Sequence, residues 1–359
     1  MGIYLGLIVY LLFLPLVVRR VEQRKEKQEK TILFWGVAAI FLLLALKRNT
    51  VGIDIAGYEA WYVDSKFRAW SDLNYIYFEN GYILWMKLFS KLGASFQLFM
   101  AVNYAIFCGA LYAFIRKYSK DATMSLLIFV CYQFFVFVIS GVRQMIAMAF
   151  CLIAYMIFDR RKKLSTVWAI AIVLLAIQIH QSAVIFFLVL ALARLRGKKI
   201  LLPVYIAAIL MSTEVRPMVW NFVDRYVRKI DAYESISLGG NFIFLIGIAL
   251  FMAFTVWQSN ISKTGTAEGQ AVIFDIFSTR LIWAVLGLQI IFSGHSMLRA
   301  TSYLSMFLIP ALPNMLQRYD RKSRGMLKMA LGCFLIWLFV TDTLIPNQLQ
   351  LCPYQFFWN

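Results

Sequence analysis

The chain has 359 residues, of which 62% are hydrophobic and 15% charged, and it carries a formal net charge of +18 at pH 7. This balance excludes a soluble globular domain, because apolar runs of roughly twenty residues recur to the end of the chain, separated by short charged clusters. We therefore predict an all-α, polytopic integral membrane protein that forms a single transmembrane domain over residues 1–359.

The positive charge is not read as a sign of nucleic-acid binding, because most of the excess falls in short loops. There, Lys and Arg set the orientation of membrane spans. Residues 19–30 alone carry six Lys and Arg and are expected in the cytoplasm, which places the N-terminus outside. Membrane lipid is therefore an expected partner, and nucleic acid is not.

The apolar periodicity predicts about twelve transmembrane helices, with ten or eleven as alternatives because two of them are short. They cover 2–18, 31–46, 94–115, 124–139, 145–158, 164–179, 183–193, 200–211, 241–257, 272–292, 300–316 and 326–340. Two longer polar segments, 47–91 and 212–240, are predicted to be extracytoplasmic and to contain amphipathic helices at the membrane surface.

No cofactor or metal site is predicted. The five cysteines show no CxxC spacing, only two histidines are present, and no Asp-x-Asp pair occurs. We interpret four of the cysteines as small apolar residues of the spans rather than as ligands or disulfide partners.

The most informative stretch is 140–147, where Arg143 and Gln144 lie between two apolar runs. A charge within a bilayer costs from ~2.5 to more than 10 kcal/mol, so such a residue normally faces a wet cavity or a partner. Under the predicted topology a polar set gathers at the outer boundary, namely Lys47, Arg48, Asp54, Arg143, Gln144, His180, Arg299 and Tyr303.

Each member of this set has an alternative structural interpretation. An isolated basic residue often anchors lipid headgroups, a histidine often ends a helix, and Asp54 follows a turn-like Gly52-Ile53 pair. Arg143 and Arg299, however, lie in short outer connections that should be poor in basic residues. Converging arginines favour a pyrophosphate or another polyanion as ligand, because the guanidinium fork binds phosphate through two hydrogen bonds.

Several ordered motifs resemble the EpsG family of bacterial polysaccharide polymerases, which are Wzy-like. The motifs are Lys47-Arg48-Asn49-Thr50-Val51-Gly52-Ile53-Asp54 with Tyr58, Glu79-Asn80-Gly81-Tyr82, Gly141-Val142-Arg143-Gln144 with Ala147, His180-Gln181-Ser182, Arg299 with Tyr303, Pro310, and the aromatic end at 353–358. The resemblance extends over nearly the whole chain.

The resemblance implies a GT-C-like membrane glycosyltransferase, multi-pass in the bacterial inner membrane, with its active site toward the extracytoplasmic side. Such an enzyme joins undecaprenyl-pyrophosphate-linked oligosaccharide repeat units and transfers the growing chain to the non-reducing end of a new lipid-linked unit. A chain-length regulator and a flippase of the same pathway are the protein partners that this function suggests.

The residues fit this chemistry. Arg143, Arg299 and Arg48 are candidates to stabilise the leaving pyrophosphate. His180 is the favoured base for the acceptor hydroxyl, because a neutral imidazole tolerates a membrane boundary better than a carboxylate, while Asp54 and Glu79 remain open. Candidate substrate-binding residues are Lys47, Gln144, Tyr58, Tyr82 and Tyr303. The aromatic residues of 47–91 are expected either to stack on sugars or to form an interfacial belt, and they are Tyr58, Trp61, Tyr62, Tyr75, Tyr77 and Tyr82.

Other functions are weighed against this one. A lipid-linked oligosaccharide flippase would place charges deep within several spans, whereas here the spans are nearly free of charge. An O-antigen ligase would use the same donor with another acceptor, and only the motif resemblance favours a polymerase. A membrane acyltransferase would place its histidine toward the cytoplasm, and a purely structural scaffold would not need a polar set on one face.

Overall fold

A computed structural model describes residues 1–158, 162–194, 239–258, 267–291 and 295–358. These residues are mostly helical and contain no strand, only an isolated antiparallel bridge between Lys47 and Phe356. The prediction of an all-α protein is confirmed. Contacts divide the chain into two compact units, Met1–Val184 with Asp320–Asn359, and Ile185–Tyr319.

The first unit contains most of the helices. They are α1 (Gly2–Val21), α2 (Lys25–Ala45), α3 (Ile55–Ser65), α4 (Asn80–Lys91), α5 (Phe96–Tyr118), α6 (Ala122–Cys131), α7 (Phe134–Ser140), α8 (Val142–Ile157), α9 (Lys163–Ile179), and the C-terminal α15 (Arg321–Phe339), which continues as a π-helix over Val340–Leu344. Within it, α8 packs against α5 and α9, and α2 packs against α5 and α6. Fully buried phenylalanines such as Phe107, Phe114 and Phe129 fill this core.

The second unit follows a 3₁₀ helix (Gln181–Ile185) and begins with α10 (Phe186–Arg194). It continues with α11 (Gly239–Gln258), α12 (Ala267–Ile291), α13 (His295–Ser305) and α14 (Leu308–Leu316). The long helix α12 contacts each of the others. Its buried Asp275 forms an ion pair with Arg318 near the end of the unit, which compensates a charge that would otherwise be expensive in an apolar interior.

Five helices among the described residues are long and apolar enough to cross a membrane, or six spans if one bent pair is counted as a single span. Four shorter apolar helices accompany them. Several faces expose large apolar side chains, for example Leu164, Val167 and Trp168 on α9, as lipid-facing helices do. The membrane class thus holds, and the count of twelve spans stays a prediction. The expected span 200–211 and residues 212–238 of the second polar segment lie outside the described residues.

Two expected spans are not continuous helices. The stretch 124–139 is divided into α6 and α7, which are bent by 57°, with Gln133 at the break in the left-handed region at φ 47°. The stretch 300–316 is divided between α13 and α14. The first break was not apparent in the sequence, because neither Gly nor Pro marks it and Gln133 is the only strongly polar residue within an otherwise apolar stretch.

The outer segment 47–91 forms two short helices, α3 and α4, neither long enough to span. Its aromatic residues divide into two groups. Tyr58, Tyr62 and Tyr82 are buried, whereas Tyr77 is 87% exposed, together with Phe67 and Trp70. The buried group belongs to the core of this segment, whereas the exposed rings are placed where they could contact a sugar or the membrane surface.

The C-terminal tail is joined to the beginning of the outer segment by backbone hydrogen bonds. The amide of Arg48 donates to Gln355 O at 2.9 Å, Phe357 N donates to Leu46 O at 2.9 Å, and Gly52 N donates to Gln350 O at 3.1 Å. Gly52 adopts φ +102°, which favours glycine, and a Cβ atom there would approach Ile139 and Ser140 at 3.1 Å. We call this pairing of 46–53 with 349–357 the terminal clasp.

Lys47 lies inside the terminal clasp and is 4% exposed. Its ammonium donates to Val51 O at 2.7 Å and lies 5.9 Å from the centre of the Tyr104 ring. Burial lowers the pKa of Lys47 from 10.5 to about 7, because desolvation disfavours the charged form.

This pKa predicts how stability depends on pH. Below pH 7 Lys47 is protonated in both the folded and the unfolded chain, and burial of its charge lowers the stability of the folded chain by the full desolvation cost. Between pH 7 and 10.5 the unfolded chain keeps a proton that the folded chain has released, so stability rises with pH. In detergent, the melting temperature of the wild type should therefore rise relative to that of Lys47→Met over this range. Lys66→Met, which removes an exposed lysine of the same segment, should follow the wild type; a parallel pH dependence in Lys47→Met would contradict the prediction.

Candidate active site

Arg143 lies in the first turn of α8, immediately after Gly141 ends α7. Its Nη1 donates to Glu79 Oε2 at 2.5 Å, and its Nε donates to the hydroxyl of Tyr58 at 3.3 Å. The guanidinium carbon lies 4.3 Å from the centre of the Phe78 ring, within the range of a cation–π contact. These three contacts fix the guanidinium plane while 19% of the side chain stays exposed.

Glu79 occupies the N-cap position of α4 and joins Arg143 to His180. Its Oε1 lies 3.1 Å from Nδ1 of His180 and accepts the backbone N–H of Gln181 at 2.8 Å. Since an ionised carboxylate can only accept, Nδ1 of His180 carries the proton of this hydrogen bond, and in the neutral form of the imidazole the lone pair lies on Nε2. One carboxylate therefore orients both an arginine and a histidine.

The charge of Glu79 is stabilised by these partners. Burial by itself would raise the pKa of the carboxyl, but the hydrogen bond from His180, the positive charge of Arg143 and the Gln181 amide lower the pKa to about 2. Glu79 is accordingly ionised throughout the physiological pH range. Glu79 thus acts as a fixed anion in this cluster and is a poor proton acceptor near neutral pH.

Gly81 allows this cluster to form. A Cβ atom at this position would lie 2.6 Å from the backbone oxygen of Gln178 in α9, a distance that real Cβ atoms do not reach. Only glycine lets the first turn of α4 approach the end of α9 so closely. His180 then leaves α9 in an extended conformation beside Glu79.

Three aromatic rings form a group next to the guanidinium of Arg143. Tyr58, Phe78 and Tyr82 form a group with ring centroids 5.5 to 6.0 Å apart. Tyr82 is fully buried, and its hydroxyl has no hydrogen-bond partner among the residues that the structure describes. Tyr58 and Phe78 contact Arg143 directly, and burial leaves little of the Tyr58 and Tyr82 rings accessible to a ligand.

The structure gathers Tyr58, Glu79, Arg143 and His180 into one cluster, and Tyr82 lies in the group of rings beside it. Gln144 and Lys47 are buried, Arg48 is exposed in the clasp, and Asp54 precedes α3 without capping it. Arg299 and the buried Tyr303 belong to α13 of the second unit. Their convergence with Arg143 stays a prediction, as does the absence of a metal. Among the described residues no group of three His, Cys, Asp or Glu side chains could hold a metal ion.

Sequence reasoning missed Phe78 and the backbone amide of Gln181. Phe78 directly precedes the Glu79 motif, and Gln181 stands inside the His180 motif, so their positions carried a signal. Their roles depend on contacts between residues 65 apart for Phe78 and Arg143 and 102 apart for Gln181 and Glu79, which no local pattern specifies.

The sequence was then compared with known proteins. A family model described as the EpsG family matches residues 31–356. The chain belongs to the EpsG family. Neither the curated proteins nor the solved structures gave a match. Membership connects this chain with polysaccharide polymerisation, and the matched region contains every residue of the cluster around Glu79.

The close approach at Gly81 can be tested by thermal unfolding. Gly81→Ala should lower stability, because overpacking of this kind costs about 1–3 kcal/mol. Gly57→Ala is the matched control, since a Cβ atom at that exposed position of α3 meets nothing within 4 Å, and alanine favours a helix by up to about 1 kcal/mol. Equal melting temperatures for the two variants would show that α4 and α9 are not held at contact distance.

Proposed function

We propose that this EpsG-family chain is a membrane glycosyltransferase that polymerises undecaprenyl-pyrophosphate-linked oligosaccharide repeat units at the extracytoplasmic face of the bacterial inner membrane. The observation that supports this function most is the cluster of Arg143, Glu79 and His180. It combines a cation for a phosphate leaving group with an oriented base. Family membership supports the polymerase class, and the apolar helices support the membrane location.

The reaction joins a growing chain to a new unit. A hydroxyl at the non-reducing end of the new lipid-linked unit attacks the anomeric carbon of the growing chain. Its proton passes to Nε2 of His180, and the bond between the anomeric carbon and the pyrophosphate oxygen breaks. The bonding electrons leave with undecaprenyl pyrophosphate, whose negative charge Arg143 stabilises.

Glu79 has a supporting role in this scheme. Its hydrogen bond from Nδ1 keeps the lone pair of His180 on Nε2, where the acceptor proton is taken. Because its own pKa is about 2, Glu79 is not proposed as the base. His180 is preferred, and Asp54 is retained as the alternative.

The other candidates fill different parts of the proposed site. Arg299 and Arg48 are proposed as further ligands of the pyrophosphate. Tyr58 binds Arg143 directly, whereas the buried Lys47, Gln144, Tyr82 and Tyr303 are proposed to support the residues that touch substrate. The exposed aromatics Phe67, Trp70 and Tyr77 replace the buried tyrosines as candidates for sugar contact.

Complementation of a strain that lacks its own polymerase tests this proposal, with the glycan displayed as a gel ladder. Wild type should give long chains. Arg143→Ala, Arg299→Ala and His180→Ala, at equal membrane levels, should give single repeat units, since loss of one preorganised donor lowers the rate by ~10²–10³. Arg68→Ala is the matched control, because Arg68 is 43% exposed and pairs with Asp64 in the same outer segment.

Two results would reject the proposal. Long chains from Arg143→Ala and Arg299→Ala would remove the pyrophosphate role from both arginines. Wild type that gives no ladder while lipid-linked units accumulate inside the cell would favour the flippase.

A further inference from the structure

The Arg143 guanidinium already binds an anion of the protein itself. Glu79 Oε2 accepts from Nη1 at 2.5 Å, so the carboxylate stands where a phosphate oxygen would bind a guanidinium. Carboxylate and phosphate are both multi-oxygen acceptors that arginine recognises with the same N–H donors. A diphosphate that uses this face of Arg143 must therefore compete with Glu79.

The remaining donors of Arg143 allow a ligand to begin binding before Glu79 moves. Nε is used by Tyr58 and Nη1 by Glu79, whereas Nη2 has no hydrogen-bond partner among the described residues. The side chains of Arg143 and Glu79 are 19% and 20% exposed. An anionic ligand can thus approach Nη2 first and then take the Nη1 donor as well.

Glu79 can release Arg143 without being left unpaired. Its other oxygen keeps the hydrogen bond from the Gln181 amide at 2.8 Å and the contact with Nδ1 of His180 at 3.1 Å. A buried carboxylate that lost every partner would be expensive, but this one retains two.

We propose that Glu79 is an internal competitor for the diphosphate, a positioning residue that yields Arg143 to the substrate and recovers it when the product leaves. This inference rests on the proposed function, because it assumes that a diphosphate binds at Arg143. It also assigns a specificity: only a ligand with enough negative charge to replace a carboxylate binds well. Recovery of Arg143 by Glu79 weakens the hold on undecaprenyl pyrophosphate, so product release is faster than a bare arginine would permit.

The test measures binding of inorganic pyrophosphate to the purified full chain in detergent by calorimetry. Glu79→Gln should bind pyrophosphate roughly tenfold more tightly than wild type, because the competing charge is gone. Arg143→Gln should lose binding. In a polymerisation assay Glu79→Gln should lower KM and kcat together, whereas a purely structural defect would not tighten binding.

Glu59→Gln is the matched control for charge. It removes one carboxylate from the same outer segment, where Glu59 accepts from Asn49 and not from Arg143, so its affinity should stay within about twofold of wild type. An equal gain in pyrophosphate affinity in Glu59→Gln would mean that loss of any nearby negative charge has the same effect, and it would overturn the proposal. Tyr58→Phe removes the other side-chain hydrogen bond of Arg143 without changing the charge. It should give no gain in affinity for pyrophosphate.

Equal or weaker pyrophosphate binding by Glu79→Gln overturns the inference. If that variant does not fold, Glu79→Asp serves instead, since its shorter carboxylate holds Arg143 less well and should bind pyrophosphate more tightly than wild type; weaker binding again overturns it. Absence of pyrophosphate binding in all variants also overturns it. The glycan ladder of the wild type still decides the proposed function separately.

Discussion

The cluster depends on one shared carboxylate. Glu79 accepts hydrogen bonds from the start of α8 and from the end of α9, two positions that are 37 residues apart, and it lies itself on a third element. Each partner compensates the negative charge, and the charge in turn fixes each partner. Without this carboxylate, Arg143 and His180 would share no hydrogen-bond partner that holds them in one cluster. The surrounding packing, including Gly81 and the aromatic rings, serves to hold this carboxylate in position.

The chemistry of the cluster is a balance between binding and release. A largely buried arginine without a counter-ion would cost free energy in folding and would bind any diphosphate tightly. An arginine paired with a carboxylate is cheaper to bury, and its affinity for ligands is moderated. Under the proposed function this moderation favours turnover, because each cycle must discharge a lipid pyrophosphate before another can bind. The ion pair of Arg143 with Glu79 would then contribute to folding and to turnover with the same atoms.

The sequence predicted the class of fold and the residues of the site better than their arrangement. Arg143 and His180 stood out because charged or titratable groups next to apolar runs need an explanation. Glu79 was named only through its motif and as an open alternative for the base. The burial of Tyr58 and Tyr82 was not predicted, since aromatic residues suit a core, an interface and a sugar site equally well. The bend at Gln133 and the approach at Gly81 are set by neighbours distant in sequence. The type of a residue indicates which chemistry its side chain can perform, whereas the distances between side chains are known only from the folded structure.

The terminal clasp gives the chain a direction of assembly. Segment 46–53 is synthesised about 300 residues before its backbone partners, 349–357. The polar backbone groups at the start of the first outer segment are therefore paired only after 349–357 have been made. A protein cut short before residue 345 would contain every residue of the cluster around Glu79 and still lack the pairing that closes the segment carrying Tyr58. The segment that carries Tyr58 is therefore closed later in synthesis than any residue of the cluster around Glu79 is made.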